Sequence, residues 1–201
     1  MTRWKSIYEF WFGLPGSPGH GEVREFWFNG GPEIDQVIGK RFADDHIYAL
    51  DGGYDSWSSE PRGCISLIIL LDQFPRNIFR GKPQSFDADQ KALTMARGLI
   101  ESPSHGQLID VEKLFAYLPF QHSENGADQA LSVNLYRAIV THEKKAEWLD
   151  FAEQHKVIVD KFGRFPHRNA ILGRKDTAAE AMWLRENDQR FGAVAEGSDA
   201  R

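Results

Sequence analysis

The sequence predicts an all-α fold, and three observations carry that prediction. Apolar residues recur at spacings of three and four along most of the chain, helix caps and prolines divide it into segments of about 10 to 20 residues, and no segment demands a strand. Roughly six or seven antiparallel helices joined by short loops, each burying an apolar stripe against its neighbours, are the expected architecture.

The first 30 residues carry two aromatic triplets, Phe10-Trp11-Phe12 and Phe26-Trp27-Phe28, on either side of a Gly/Pro/Ser-rich stretch from Gly13 to Gly21. That stretch cannot hold a regular helix, so the triplets are expected to plug the edge of the core across a turn. From Asp35, Val37, Ile38, Phe42, Ile47 and Tyr48 set out a helix to Leu50, stopped by Asp51-Gly52-Gly53. Ser58-Ser59-Glu60-Pro61 reads as a helix start with proline in the first turn. The run that follows, apolar almost all round from Cys64 to Leu71, is too long for a typical strand and is expected to be the central buried helix, ending where Phe74 precedes Pro75.

Ser85 is placed to cap a helix carrying Ala88, Ala92, Met95, Ala96 and Leu99, with Asp87 and Asp89 near its positive end. Asp110 is placed to cap a shorter helix closed by Pro119, and another begins near Gly126 with Ala127, Ala130, Leu131, Leu135, Ala138 and Ile139 as its stripe. Trp148, Phe151, Ala152, His155, Ile158, Val159 and Phe162 give the next helix a cleaner stripe, with Gly163 as its C-terminal cap. Thr177-Ala178-Ala179-Glu180 has capping-box spacing and opens a last helix to about Arg190. Residues 1–192 are expected to form one all-helical domain and 193–201 a flexible tail.

Length and composition set the outer limits. At 201 residues the chain fits one domain, and 41% hydrophobic with 26% charged residues is an ordinary globular composition. Twenty-four Lys and Arg against 29 Asp and Glu, net charge -5, argue against a general binder of nucleic-acid backbones. A single Cys64 excludes an internal disulfide, no stretch reaches the roughly 18 apolar residues of a membrane span, and Met1 to Lys5 lack the apolar core of a signal peptide. A cytoplasmic location is therefore expected.

Three clusters break the pattern of a bland core. Asp72, Gln73, Arg76, Asn77 and Arg80 crowd five polar side chains after the most apolar helix, where an Asp72–arginine pair is expected because buried charge needs a partner. His122 and Glu124, with Asp128 and Gln129 beyond, are placed for acid–base chemistry, although Ser123 capping the next helix explains the same stretch. Arg164, His167, Arg168, Asn169 and Arg174 make an electropositive loop without one acidic residue, and guanidinium forks suit carboxylate or phosphate. The alternative is that Asp72, Glu124 and Asp128 neutralise those arginines in a bracing network. His155 reads as a core histidine, and His105 and His142 as surface residues. His122, Glu124, His155 and His167 form no recognisable zinc signature, so no metal and no cofactor are expected.

Five stretches carry a family resemblance: LLDQFPRNIFRG from Leu70, FDADQKAL from Phe86, YLPFQHSE from Tyr117, FGRFPHRNAILGR from Phe162, and the early FWF. With them the chain, from Ile7 to about Leu184, resembles the bacterial domain-of-unknown-function 924 family. The second aromatic triplet, at Phe26 to Phe28, departs from it. The resemblance implies a tetratricopeptide-like fold, with antiparallel helix hairpins in a right-handed superhelical array, although the sequence has no repeat of about 34 residues. It implies no reaction.

The leading functional expectation is a pocket for an anionic small molecule or peptide carboxylate, lined by Asp72, Arg76, Asn77, Arg80, His122, Glu124, Arg164, His167, Arg168, Asn169 and Arg174. The alternatives are a hydrolase in which His122 or His167 is the base, with Glu124 as its partner, and a purely structural scaffold. The partners expected are the anionic ligand and, through an exposed aromatic face, a second copy in a homodimer; nucleic acid and membranes are not expected.

Overall fold

In the computed structural model, which describes residues 2–187, the chain is helical, with no strand among the described residues. The end of the last helix near Arg190 and the tail at 193–201 lie outside those residues. Helix α1 (Arg3–Phe12) buries Ile7, Tyr8, Trp11 and Phe12 against α4 (Pro61–Ile68). Gly13 ends α1 at φ 91°, a conformation glycine adopts without steric cost, and the loop returns to the short α2 (Phe26–Asn29). There Trp27 is buried against Trp11, Phe12 and Phe115, while Phe28 is 55% exposed. Apart from Phe28, the two triplets thus meet at the core, with Phe10 and Phe26 partly buried against it.

Helix α3 (Pro32–Leu50) starts earlier than the apolar pattern suggests, because Pro32 is tolerated in a first helical turn. Its inner face is Ile38, Phe42, Asp45, His46 and Ala49; Val37, Ile47 and Tyr48 face outward.

The central helix does not stop before Pro75. After α4 the backbone opens into a π-helical turn (Ile69–Gln73), then resumes as α5 (Phe74–Ile78). Proline lacks an N–H and crowds the preceding turn; widening that turn by one residue relieves the crowding. The Phe74 N–H donates to the Ile69 carbonyl five residues back. Side chains of Arg76 and His46 donate to the Asp72 and Leu70 carbonyls.

Helix α6 (Asp89–Glu101) begins after Ala88; Ser85 is no cap, because its hydroxyl donates to the Phe79 carbonyl. Helix α7 (Asp110–His122) carries Pro119 inside it and is not closed by it. Ten of its residues, from Val111 to Gln121, are buried, so packing outweighs one lost hydrogen bond. Tyr136 Oη donates to the Leu114 carbonyl at 2.9 Å, and Gln129 Nε2 caps the carbonyls of Gln121 and Ser123 at 2.7 and 2.6 Å.

Those caps come from α8 (Gly126–Arg137), whose buried face is Asp128, Gln129, Ser132, Val133 and Tyr136; of the predicted stripe, Leu131 and Leu135 are partly buried against the core and Ile139 just beyond the helix is buried, while Ala127 and Ala138 are exposed. Asn125, not Ser123, caps it, its Oδ1 accepting from the Ala127 N–H at 2.8 Å. Helix α9 (Lys145–Phe162) ends at Gly163 at φ 70°, and α10 (Ala178–Glu186) opens with the Thr177–Glu180 capping box, both as the sequence predicts. Helices α6, α7, α8 and α9 pack each on the next, and no helix of the described residues is long and apolar enough to cross a membrane.

Candidate functional site

The π-helical turn and α5 build one wall of a cavity of about 1000 Å³, from Gln73, Arg76, Asn77 and Arg80. Directly behind it lies Asp72, fully buried. Burial alone would raise its pKa, but Arg76, 3.4 Å away, and then His122 outweigh burial and hold the carboxyl below the usual range. Gln73 Nε2 also donates to it. Arg76 reaches on to Asp89, donating through Nη1 and Nη2 at 2.9 and 3.0 Å, and these carboxylates outweigh the burial that opposes its charge. Arg80 forms a two-point pair with Asp35 on α3, at 2.7 and 2.8 Å, and Asn77 donates to the same carboxylate at 2.7 Å.

The last turn of α7 brings His122 to this wall. Its Nδ1–H donates to Asp72 Oδ1 at 2.7 Å. Burial first, and the neighbouring Arg76 second, lower its pKa, so the imidazole is neutral at pH 7. His122 also faces a smaller hollow of about 260 Å³, which Glu124, Asp89 and Arg168 share.

The turn Pro166–Arg168 supplies the third side. Arg168 is 7% exposed and lies over the rings of Phe86 and Phe165, 4.7 Å from each centroid. Its ion-pair contact is a long one, Nη1 to Asp89 at 3.4 Å, and its buried Nε has no hydrogen-bond partner among the described residues. Burial, with Asp89 only partly opposing it, pulls this guanidinium down to about 10. Beside it, burial and then Arg168 itself push His167 down to about 3.

The lining also has an apolar part, with Glu143, Lys144 and Glu147 in the lining as well. Leu114 and Leu118 of α7, Tyr136 of α8 and Trp148 of α9 are the buried side chains of that apolar part. Residues 21–30 also line the cavity, and His142, half-buried, stacks on Trp148 at 4.2 Å, so it belongs to the cavity and not to the open surface.

This geometry can be set beside known proteins. Residues 7–188 match a family described as bacterial protein of unknown function (DUF924). The chain belongs to that family. A solved structure of the protein of unknown function ATU0120 from Agrobacterium tumefaciens is similar to it, with 32% identity, a TM-score of 0.81, and coverage of 92% of this chain and 98% of that one. No curated protein matches. The membership fits the five sequence stretches, which supply the end of α1, the π-helical turn, the start of α6, the last turns of α7 and the Pro166–Arg168 turn.

Of the residues singled out by sequence, Arg76, Asn77, Arg80, His122, His167 and Arg168 line the larger cavity. Asp72 supports it from behind, and Glu124 lines the smaller hollow. Arg164, Asn169 and Arg174 line neither. Arg164 pairs with Glu180 at 2.7 and 2.8 Å, and Arg174 with Glu124 at 2.7 and 2.9 Å. Asn169 bridges Asp176 and Arg174. Glu124 is thus engaged by Arg174 and the Phe165 N–H, and the carboxylate partner of His122 is Asp72. His155 is 4% exposed, and its Nδ1–H donates to the Phe151 carbonyl at 2.7 Å. Among the described residues no group of three or more His, Cys, Asp or Glu is arranged to hold a metal. Sequence reasoning missed Asp89, Phe86 and Asp35 as site residues. Asp89 and Phe86 sit inside the FDADQKAL stretch, which was the one signal available for them.

Proposed function

We propose that this protein binds a small amphiphilic carboxylate, with the head group at Arg168 and the apolar part against Leu114, Leu118, Tyr136 and Trp148. The observation that carries the reading is the state of Arg168. A guanidinium kept out of water is tolerated when its donors are satisfied. Arg76, Arg80, Arg164 and Arg174 meet that condition with carboxylates of the chain itself, which makes the bracing interpretation the better one for Arg80, Arg164 and Arg174. Arg168 alone among these five retains a buried donor without a partner, and it lies on the cavity wall.

A carboxylate suits it better than a phosphate dianion. Arg76 and Arg80 on the same wall are already matched by Asp72, Asp89 and Asp35, so one singly charged head group is what this wall can take; Arg24, in the 21–30 segment of the lining, also keeps a buried Nε without a partner among the described residues. The cavity is at the upper end of the roughly 300 to 1000 Å³ common for small-molecule sites, and a lining that mixes apolar with polar side chains is the usual division of labour between burial and orientation. The stepwise packing of α6 to α9 supports a hairpin array of tetratricopeptide type, with the cavity on its inner side.

Calorimetric titration with octanoate tests the reading, with inorganic phosphate as comparison. Saturable octanoate binding that Arg168→Met abolishes is the expected result. No binding to the wild type, or equal binding to the variant, would refute it.

A further inference from the structure

Resting on that carboxylate-binding reading, we propose that Asp72 and His122 form a general-base dyad that hydrolyses a carboxylic ester held in the cavity, so that the bound carboxylate is the product of the reaction.

The dyad has the parts such chemistry needs. Asp72 is fully buried and already neutralised by Arg76, so His122 is not required to balance its charge. What the 2.7 Å Nδ1–H to Oδ1 bond does is fix the tautomer and the ring plane. That leaves Nε2, with its lone pair, as the ring nitrogen available for chemistry, and no described residue hydrogen-bonds to it. His122 is 14% exposed and sits where the two hollows meet, within reach of water from one and of a ligand in the other. A neutral imidazole is the form a general base must take.

The step balances without a metal or redox partner. Nε2 accepts a proton from water as the water oxygen forms a bond to the ester carbonyl carbon, and the carbonyl oxygen becomes an oxyanion. Arg168, linked to the dyad through Asp89 and Arg76, supplies the positive charge on the cavity wall that this oxyanion needs. Collapse breaks the bond to the alcohol oxygen, which takes the proton from Nε2. The products are the alcohol and the carboxylic acid, which ionises and remains the ligand of Arg168. The acyl group lies along the apolar part of the lining. His122 is the catalytic residue of this scheme and Asp72 its positioning residue.

Release of p-nitrophenolate from the butyrate and octanoate p-nitrophenyl esters by the full chain, followed from acid to neutral pH, is the test. The wild type should show saturable hydrolysis that falls as the pH drops and His122 takes up a proton. The groups that face His122 and shape that titration are Asp72 and Arg76 from the central helix, Asp89 from α6, His155 from α9, and His167 and Arg168 from the turn before α10. His122→Gln should lower kcat by about 100-fold or more while octanoate binding persists, which shows that the variant is folded. Asp72→Asn should lower kcat with KM little changed and displace the pH profile, which a strut would not do. A wild type that binds octanoate yet leaves both esters intact overturns the dyad alone, as does a His122→Gln variant as fast as the wild type. Hydrolysis that depends on His122 without octanoate binding would overturn the binding reading and leave the dyad standing.

Discussion

Replacing Arg168 with methionine should stabilise the protein while removing its ligand. The drop of the guanidinium from its ordinary value to about 10 corresponds to roughly 3 kcal/mol by which the folded chain disfavours the charge. Methionine has no charge to desolvate, fills irregular apolar space, and packs well against aromatic rings such as Phe86 and Phe165. Two cation–π contacts are lost, at about 1 kcal/mol each. Asp89 keeps both of its bonds to Arg76, so no carboxylate is orphaned. The balance is a gain of about 1 kcal/mol, or a rise in Tm of about 2 to 4 °C for a chain of this size. Urea unfolding of both proteins at low salt measures it. A loss of about 2 kcal/mol or more would mean that Arg168 is a strut, and the argument from its unmet donor would fail.

Two further outcomes follow from the same structure. His122, His155 and His167 all have pKa values lowered chiefly by burial, so below about pH 6.5 the unfolded chain binds protons that the folded chain refuses. Stability present above about 6.5 is therefore lost as the pH falls; His167, held near 3, should alone remove about 3 kcal/mol between about pH 7.5 and pH 4.5, and an unchanged unfolding midpoint over that interval would contradict it. Glu112, fully buried, accepts hydrogen bonds from Tyr8, from Arg62 at 2.9 Å and from the Ile109 N–H at 2.9 Å, so Glu112→Gln should cost about 2 kcal/mol in urea unfolding, and a neutral substitution would show that this network does not hold α1 to α7.

Periodicity made the regular helices legible. Trp148, Ala152, His155, Ile158 and Val159 form the buried face of α9 much as their spacing demands, although Phe151 of the same stripe is 43% exposed, and Thr177 and Glu180 form the box that their order announces. Where the structure departs from the sequence reading, long-range partners override a local rule. Pro75 and Pro119 read as stops, yet the π-helical turn absorbs one and deep burial of α7 outweighs the other. The predicted stripe of α8 put Ala127 and Ala138 on its inner side, but they are exposed and Asp128, Gln129 and Ser132 are buried; what Asp128 and Gln129 bond to, Arg97 and the carbonyls of α7, is invisible to local pattern. The site followed the same division. Residue type marked out His122 and Arg168, whereas the pairing of Arg80 with Asp35 or Arg164 with Glu180, which removes those arginines from contention, depends on contacts between separate elements.

The central claim is that Arg168 is a carboxylate-binding group and not an internal brace, and a crystal structure of the protein grown with octanoate addresses it most directly. The expected result is carboxylate density within hydrogen-bond distance of the Arg168 guanidinium, with the alkyl chain against Leu118, Tyr136 and Trp148. An empty cavity with Arg168 Nε bonded to another part of the chain would contradict the account.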